Sequence, residues 1–399
     1  MLSNNSSTLS IPEHGLPQNV ILSELETKLE NDFGYASGKI LSSMCTSPHR
    51  FARQVHQKYI EKNLGDPSLF PASAELEQET VSMLGSLLSN PSALGSIVSG
   101  GTEANIIALW AARNCSKIEH GQVIVPISAH YSFDKACDLL NLKLIKVNLN
   151  KNFQMDVKAA KRALTPKTVA IVGVAGTTGL GVVDSIDELS NIALENDLYL
   201  HVDAAFGGFV LPFLGNLGYV PLDFDFKLSG VCSITVDPHK MGLAPVHAGG
   251  ILFRDSKFTE SISMNVPYLS EGQQKQSTLL GTRSGASAVT VWALLKHLGR
   301  VGYQKIVKSC LELTWTLANE IQQINDLQLV TKPTMNVVGV KSDTVDVNVV
   351  FQQLKKRGWG ISLFEGYLRI VIMPHTKLEH IKNLLEDLQE ILHSIKSEK

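Results

Sequence analysis

Cysteine is scarce and scattered in this chain. There are five, Cys45, Cys115, Cys137, Cys232 and Cys310, an odd number with no Cys-x-x-Cys pair and no histidine at zinc-ligand spacing. A disulfide framework and a structural metal site are therefore not expected. An excess of one charge is also missing. Lys and Arg total 36, Asp and Glu 38, for a formal net charge of -2, and the only basic cluster is Lys355-Lys356-Arg357. Nucleic acid is not an expected partner. No apolar run reaches the roughly 20 residues that cross a bilayer, and residues 1–20, which include Asn4, Asn5, Ser6 and Ser7, have no apolar core. No signal peptide and no membrane partner are expected, and a reducing, cytoplasmic setting follows. Internal repeats and low-complexity segments are absent from the sequence as well.

What is there is alternation. From residue 122 to 253, short β-branched runs (Val123–Ile127, Leu142–Val147, Val169–Val174, Leu198–Val202, Val231–Val236, Gly249–Phe253) alternate with amphipathic segments near Phe133–Leu140, Val157–Leu164 and Asp184–Asn196. Such a pattern predicts a mainly parallel sheet wrapped by helices, with ligands gathering beyond the carboxyl ends of the strands. Helices are also expected around Ile21–Leu29, Phe51–Asn63, Glu75–Leu88 and Ala104–Ala112. Two long apolar-faced helices, Ala286–Leu298 and Tyr303–Ile324, lead to a smaller α+β unit closed by a final helix carrying Ile381, Leu384, Leu388 and Ile391. A chain of 399 residues exceeds the usual single domain. We divide it into an N-terminal arm (1–50), a large α/β domain (51–300) and a small C-terminal domain (301–399).

Chemistry-bearing residues collect at the expected strand ends. Lys240 ends the run Val231–Val236 in Asp237-Pro238-His239-Lys240-Met241-Gly242. A lysine dehydrated there is neutral near pH 7 and able to attack a carbonyl to give a Schiff base; a solvated surface lysine is the bland alternative. Asp203, in His201-Val202-Asp203-Ala204-Ala205, follows another strand. It either caps the next turn or holds a heterocyclic nitrogen protonated, as pyridoxal phosphate requires of its aspartate partner. Ser99-Gly100-Gly101-Thr102 opens a helix, where free N–H groups and the helix dipole suit a phosphate. His130 follows Val123–Ile127, where an imidazole either stacks on a flat ring or packs as a core histidine. Thr177 lies in the glycine-flanked turn Ala175–Gly179, placed to steady Asp203 or a cofactor. Asn265–Leu280 has no convincing period and reads as a mobile lid, with Tyr268 as its only obvious acid.

Together, Ser99–Asn105, Ser128-Ala129-His130, His201–Ala205, Asp237–Lys240 and Gly281-Thr282-Arg283-Ser284-Gly285 resemble the group II pyridoxal-phosphate-dependent decarboxylases of fold type I. The similarity extends in unbroken order from about Gly38 to the C-terminus. It is closest to the short archaeal branch, the L-aspartate and L-tyrosine decarboxylases.

The resemblance implies a seven-stranded-type sheet in the large domain, pyridoxal 5'-phosphate as cofactor, and a homodimer with shared active sites on which the N-terminal arm packs. It casts Lys240, His130 and Asp203 as catalytic, and Gly101, Thr102, Thr177 and His239 as further cofactor contacts. Gly281 and Thr282 would reach the phosphate of the other subunit. Arg369, in Tyr367-Leu368-Arg369-Ile370-Val371, resembles the arginine that binds the substrate carboxylate, and an edge-strand surface arginine is the alternative. His49 falls near cofactor or substrate by the same resemblance, against a plain role as a helix cap. Larger members carry a catalytic tyrosine on a longer lid, so Tyr268 is a substrate-side candidate on a shorter loop. The implied activity is α-decarboxylation of an L-amino acid, aspartate giving β-alanine, a coenzyme A precursor, or tyrosine giving tyramine. The rivals are an aldolase-type lyase like the sphingosine-phosphate lyases, more distantly a transaminase or desulfurase, and a catalytically silent relative.

Overall fold

A computed structural model describes residues 10–397; the polar run Asn4–Ser7 lies outside the described residues. Seven strands form the main sheet: β1 (Leu94–Val98), β2 (Gln122–Pro126), β3 (Lys143–Val147), β4 (Thr168–Val174), β5 (Tyr199–Asp203), β6 (Val231–Val236) and β7 (Gly249–Phe253), in the order β1-β7-β6-β5-β4-β2-β3. Neighbours from β3 through β6 pair in parallel, and β7 runs antiparallel to both β6 and β1. All seven residues of β4 are buried, as a strand covered on both faces must be. Each fully buried Val or Ile there contributes about 1.5–3 kcal/mol of transfer free energy.

Helices Gly101–Ser116 and Ser132–Leu140 cover one face through Ala104, Ile107, Leu109 and Phe133. The other face is closed by Ile186, Leu189, Phe209 and Phe213. The two long helices expected after residue 285 are both present within Gly285–Gln323, and they meet at a kink at Gly299, whose φ of 55° and ψ of -176° are not helical. Tyr303, Val307 and Leu311 on that element join the core of the main sheet, whereas Leu317 and Ile321 join the core of the smaller unit.

The hairpin and the small sheet complete the strands. Residues 265–280 are not the irregular segment expected from the sequence: β8 (Met264–Leu269) and β9 (Gly272–Gln276) pair antiparallel. Both are largely exposed, so neither shows the apolar alternation that marks a half-buried strand. Polar contacts hold the hairpin instead: Ser270 N–H donates to Asp66 Oδ2 (2.9 Å) and Gln276 Nε2 to Gly65 O (2.9 Å). Strands β10 (Gln328–Leu329), β11 (Val337–Lys341), β12 (Ser362–Phe364) and β13 (Tyr367–Val371) form an antiparallel sheet in the order β10-β11-β13-β12. Helix Leu378–Ser397 adds Ile381, Leu384, Leu388 and Ile391 to the core of this unit. At the other end of the chain, helix Gln18–Leu29 buries none of its residues, and Leu22, Leu25 and Leu29 are exposed. No helix among the described residues is long and apolar enough to cross a membrane.

Candidate active site

The carboxyl ends of β1, β4, β5 and β6 converge on a cavity of about 410 Å³ lined by Gly100, Gly101, Thr102, Asn105, His130, Thr178, Asp203, Asp237, His239 and Lys240, among others. A larger cavity of about 800 Å³ sits at the opposite strand ends, lined by Thr168, Tyr199, Cys232 and Cys115. The charged and titratable groups named by the motifs converge on the smaller one, and the chemistry is placed there.

Its phosphate end is built from glycine. A Cβ at Gly101 would lie 2.9 Å from Asp237 Oδ2, one at Gly100 would lie 3.0 Å from His239 Cε1, and one at Gly249 would strike the Gly100 backbone at 2.4 Å. The bare backbone at the start of helix Gly101–Ser116 thus forms a cradle that larger residues would fill. His239 faces it with a defined tautomer. Its Nδ1 accepts the Ala248 N–H at 3.1 Å, so Nε2 carries the hydrogen in the neutral ring, 3.5 Å from Asp237 Oδ2. Burial holds the His239 pKa down, against the pull of Asp237.

Lys240 Nζ lies 3.0 Å from Asp237 Oδ2. Burial is the largest single influence on this amine and favours the neutral form, but Asp237 and Asp203 together outweigh it, and the Lys240 pKa stands above the ordinary lysine value. The neutral lysine expected from dehydration alone is therefore replaced by an ammonium with a buried counter-ion. Asp203, at the end of β5, accepts the Ala205 N–H at Oδ1 (3.1 Å) and the Asn105 side-chain N–H at Oδ2 (3.0 Å). His130 accepts the Ser132 N–H at Nδ1 (3.3 Å), and burial lowers its pKa more than Asp203 raises it.

The remaining motif residues fall outside the cavity lining of this chain. Thr177 turns inward, its hydroxyl accepting the Val182 N–H at 3.1 Å, while the neighbouring Thr178 lines the cavity. His49 caps helix Arg50–Lys58, with Nδ1 accepting the Phe51 N–H at 3.2 Å, and its ring lies 5.5 Å from that of His297. Tyr268 stands on the hairpin, 84% exposed. Gly281 and Thr282 are exposed, and the Arg283 guanidinium is bound to Glu77 and the Ile97 carbonyl.

Arg369 is buried, not the surface residue of the alternative reading. Its guanidinium donates to Thr178 O (2.9 Å), Ser362 Oγ (2.8 Å) and Ser42 O, and its Nε has no partner. Burial lowers its pKa, and its hydrogen-bond partners are carbonyls and a hydroxyl, with no carboxylate among them. Asn105, Asp237 and Thr178 were not singled out from the sequence. Asn105 follows Gly101 by one helical turn, the spacing that puts both on one face, and that signal was available.

A glycine cradle at a helix start, a half-buried lysine, and an aspartate at the end of the adjoining strand together fit a pyridoxal-phosphate enzyme of the doubly wound α/β class. The sequence pattern of the pyridoxal-dependent decarboxylase conserved domain matches residues 7–342, and the chain belongs to that family. It is 51% identical over 380 residues to the L-aspartate decarboxylase of Thermococcus kodakarensis, covering 95% of this chain and 98% of that one. It is 48% identical to a probable L-tyrosine/L-aspartate decarboxylase of Methanothermobacter thermautotrophicus, covering 90% and 98%. Among solved structures, the sphingosine-1-phosphate lyase of Burkholderia pseudomallei superposes with a TM-score of 0.90 at 29% identity, over 98% of this chain and 94% of that one. The protein is thus a pyridoxal-phosphate-dependent amino-acid decarboxylase, and its high identity to decarboxylases along nearly the whole chain disfavours the lyase alternative.

Proposed function

We propose that the substrate is L-aspartate and the product β-alanine, a precursor of coenzyme A. The observation that carries a carboxylate-bearing amino-acid substrate is Arg369, a buried guanidinium whose Nε has no partner and whose neighbours are neutral acceptors beside the cavity-lining Thr178. A planar fork of donors in that setting suits a carboxylate. Aspartate is the substrate common to the names of both similar decarboxylases.

In this reading Gly101, Thr102 and His239 hold the cofactor phosphate, Lys240 supplies the amine that anchors the cofactor, and Asp203 faces its ring nitrogen. The bound cofactor supplies the electron sink that accepts the pair left at Cα when CO2 departs. His130 covers the ring and excludes water from that face. Lys240 Nζ and His130 Nε2 are the groups of this chain placed to carry a proton at the cavity. The working unit is a cytoplasmic homodimer in which Gly281 and Thr282 reach the partner's phosphate and the exposed helix Gln18–Leu29 packs on the partner, while Tyr268 serves the substrate side from the lid. The divisions 1–50, 51–300 and 301–399 remain our domain assignment. Release of labelled CO2 from carboxyl-labelled aspartate, tyrosine and glutamate tests the substrate: aspartate should lead in kcat/KM, and a preference for tyrosine would overturn the assignment.

A further inference from the structure

We infer that Tyr199, Ser233, His201 and Asn105 form a one-way chain of hydrogen-bond donors that ends on Asp203 and keeps the proton shared with the cofactor on the ring nitrogen rather than on the carboxylate. The inference rests on the proposed role of Asp203. All five side chains are buried, four on β5 and β6 and Asn105 on helix Gly101–Ser116, and the orientation of each is forced by the next.

The logic starts at Asp203. The Asn105 side chain places its nitrogen 3.0 Å from Asp203 Oδ2 and 2.9 Å from Ser132 Oγ. Reversing this amide would set its carbonyl oxygen against a carboxylate oxygen, so the orientation is fixed. Asn105 Oδ1 then accepts from Thr235 Oγ1 (2.7 Å) and faces His201 Nε2 at 3.0 Å. An amide oxygen cannot donate, so His201 Nε2 must carry the hydrogen. Burial keeps His201 neutral, its pKa pressed down to about 3, and its Nδ1 is therefore bare. Ser233 Oγ, 2.8 Å from Nδ1, must donate to it, and with its one hydrogen committed it accepts the Tyr199 hydroxyl at 2.8 Å.

Each donor in the series points toward Asp203, and dipoles aligned head to tail in a low-dielectric interior reinforce one another. Their effect at Asp203 is to stabilise a carboxylate. When Asp203 and a ring nitrogen share one proton, stabilising the carboxylate leaves the proton on the nitrogen, where it makes the ring electron-withdrawing. Asn105, His201, Ser233 and Tyr199 act through Asp203 and are positioning residues. The other charged or titratable groups lining the cavity with Asp203 are Lys240, His130, Tyr131, Asp237, His239 and His247; none of them takes part in the chain.

Two measurements test the chain. Neutron diffraction of holoenzyme crystals exchanged into heavy water should show deuterium on His201 Nε2 and none on Nδ1; deuterium on Nδ1 overturns the inference. Nitrogen-15 NMR of pyridoxal phosphate labelled at the ring nitrogen should show a protonated ring in the wild type. That signal should move toward the unprotonated position in Asn105→Ala, with turnover reduced on the order of tenfold for the loss of a charge-assisted hydrogen bond. Ser233→Ala, which touches neither cofactor nor substrate, should move it in the same direction by less. Asp203→Asn is the control. A signal that moves in Asp203→Asn but stays at the wild-type position in a folded Asn105→Ala protein sinks the chain alone. A signal unmoved in Asp203→Asn sinks the assignment of Asp203 and the chain with it. Should Asn105→Ala fail to fold, the deuterium positions decide.

Discussion

Lys240 Nζ and Asp237 Oδ2 lie 3.0 Å apart, and the second oxygen of that carboxylate, Oδ1, is buried with no partner. The lysine is thus the main cation balancing a carboxylate that has almost no access to water. Leaving a buried polar oxygen unpaired costs about 1–3 kcal/mol, so the pair is held at some expense to the fold. The site has its amine in place before any ligand arrives.

Lys240→Ala should abolish the visible absorbance of the bound cofactor and all turnover, and it should also weaken the fold. Removing one member of a buried pair costs about 3–5 kcal/mol. Lys240→Arg restores a cation beside Asp237 and should recover most of that stability but no activity. Urea denaturation of the three proteins, set beside their absorbance spectra, checks both halves; equal stability of the Ala and Arg variants would show that Asp237 does not depend on Lys240.

Mixing a Lys240→Ala chain with a chain altered at Thr282 and Ser284 tests sharing of sites across the dimer. With shared sites, one site of the mixed dimer collects both lesions and the other collects none, so activity should return to two inactive parents. No recovery after verified subunit exchange would place Gly281 and Thr282 within their own subunit. Their exposure in the single chain is what motivates the experiment.

Arg369→Lys should raise KM for the amino acid by about ten- to a hundredfold, the loss of one charge-assisted hydrogen bond worth about 1.5–3 kcal/mol. Cofactor affinity should change little. Because the guanidinium also joins Thr178, Ser42 and Ser362, the melting temperature should fall as well. An unchanged KM with a lowered melting temperature would make Arg369 purely structural.

Arg283→Met breaks the buried pair with Glu77, whose partners are 12% and 5% exposed. Stability should drop by about 3–5 kcal/mol, measured by urea denaturation, with KM for substrate within a few-fold of wild type. A large KM effect without loss of stability would move Arg283 from the scaffold into the binding site.

His201 makes stability depend on pH in a defined direction. Its folded pKa, about 3, lies below the unfolded histidine value of about 6.5, so the unfolded chain binds the extra proton first. The contribution is complete above about pH 6.5 and is lost as pH falls toward 3, by at most about 5 kcal/mol. His201→Gln should flatten the fall in the urea midpoint between pH 6.5 and 4. An equally steep fall in the variant would assign the acid sensitivity to other groups.

Legibility of the sequence followed burial. The strands leading to Asp203 and Lys240 announce themselves because β4, β5 and most of β6 are covered on both sides and demand continuous apolar runs. Hairpin β8–β9 carries no such mark, since its stability comes from Asp66 and Gly65 across some 200 residues of chain. The choice between Thr177 and Thr178 was equally hidden. Which of two adjacent threonines faces the cavity depends on how the turn closes on Val182. His201 was within reach: two residues before Asp203 on one strand, it shares that residue's side of the sheet. What pattern alone could not supply is the register that brings Asn105 from a distant helix between them.

The helix that follows the Gly299 kink runs from one hydrophobic core into the other with no loop between them, anchored first by Tyr303, Val307 and Leu311 and then by Leu317 and Ile321. Heat absorbed in loosening the smaller unit must therefore pull on Tyr303, Val307 and Leu311 in the larger one. A calorimetric scan should trace a single endotherm for the whole chain, and a proteolytic cut at Gly299 should not release the smaller unit as a separately melting body.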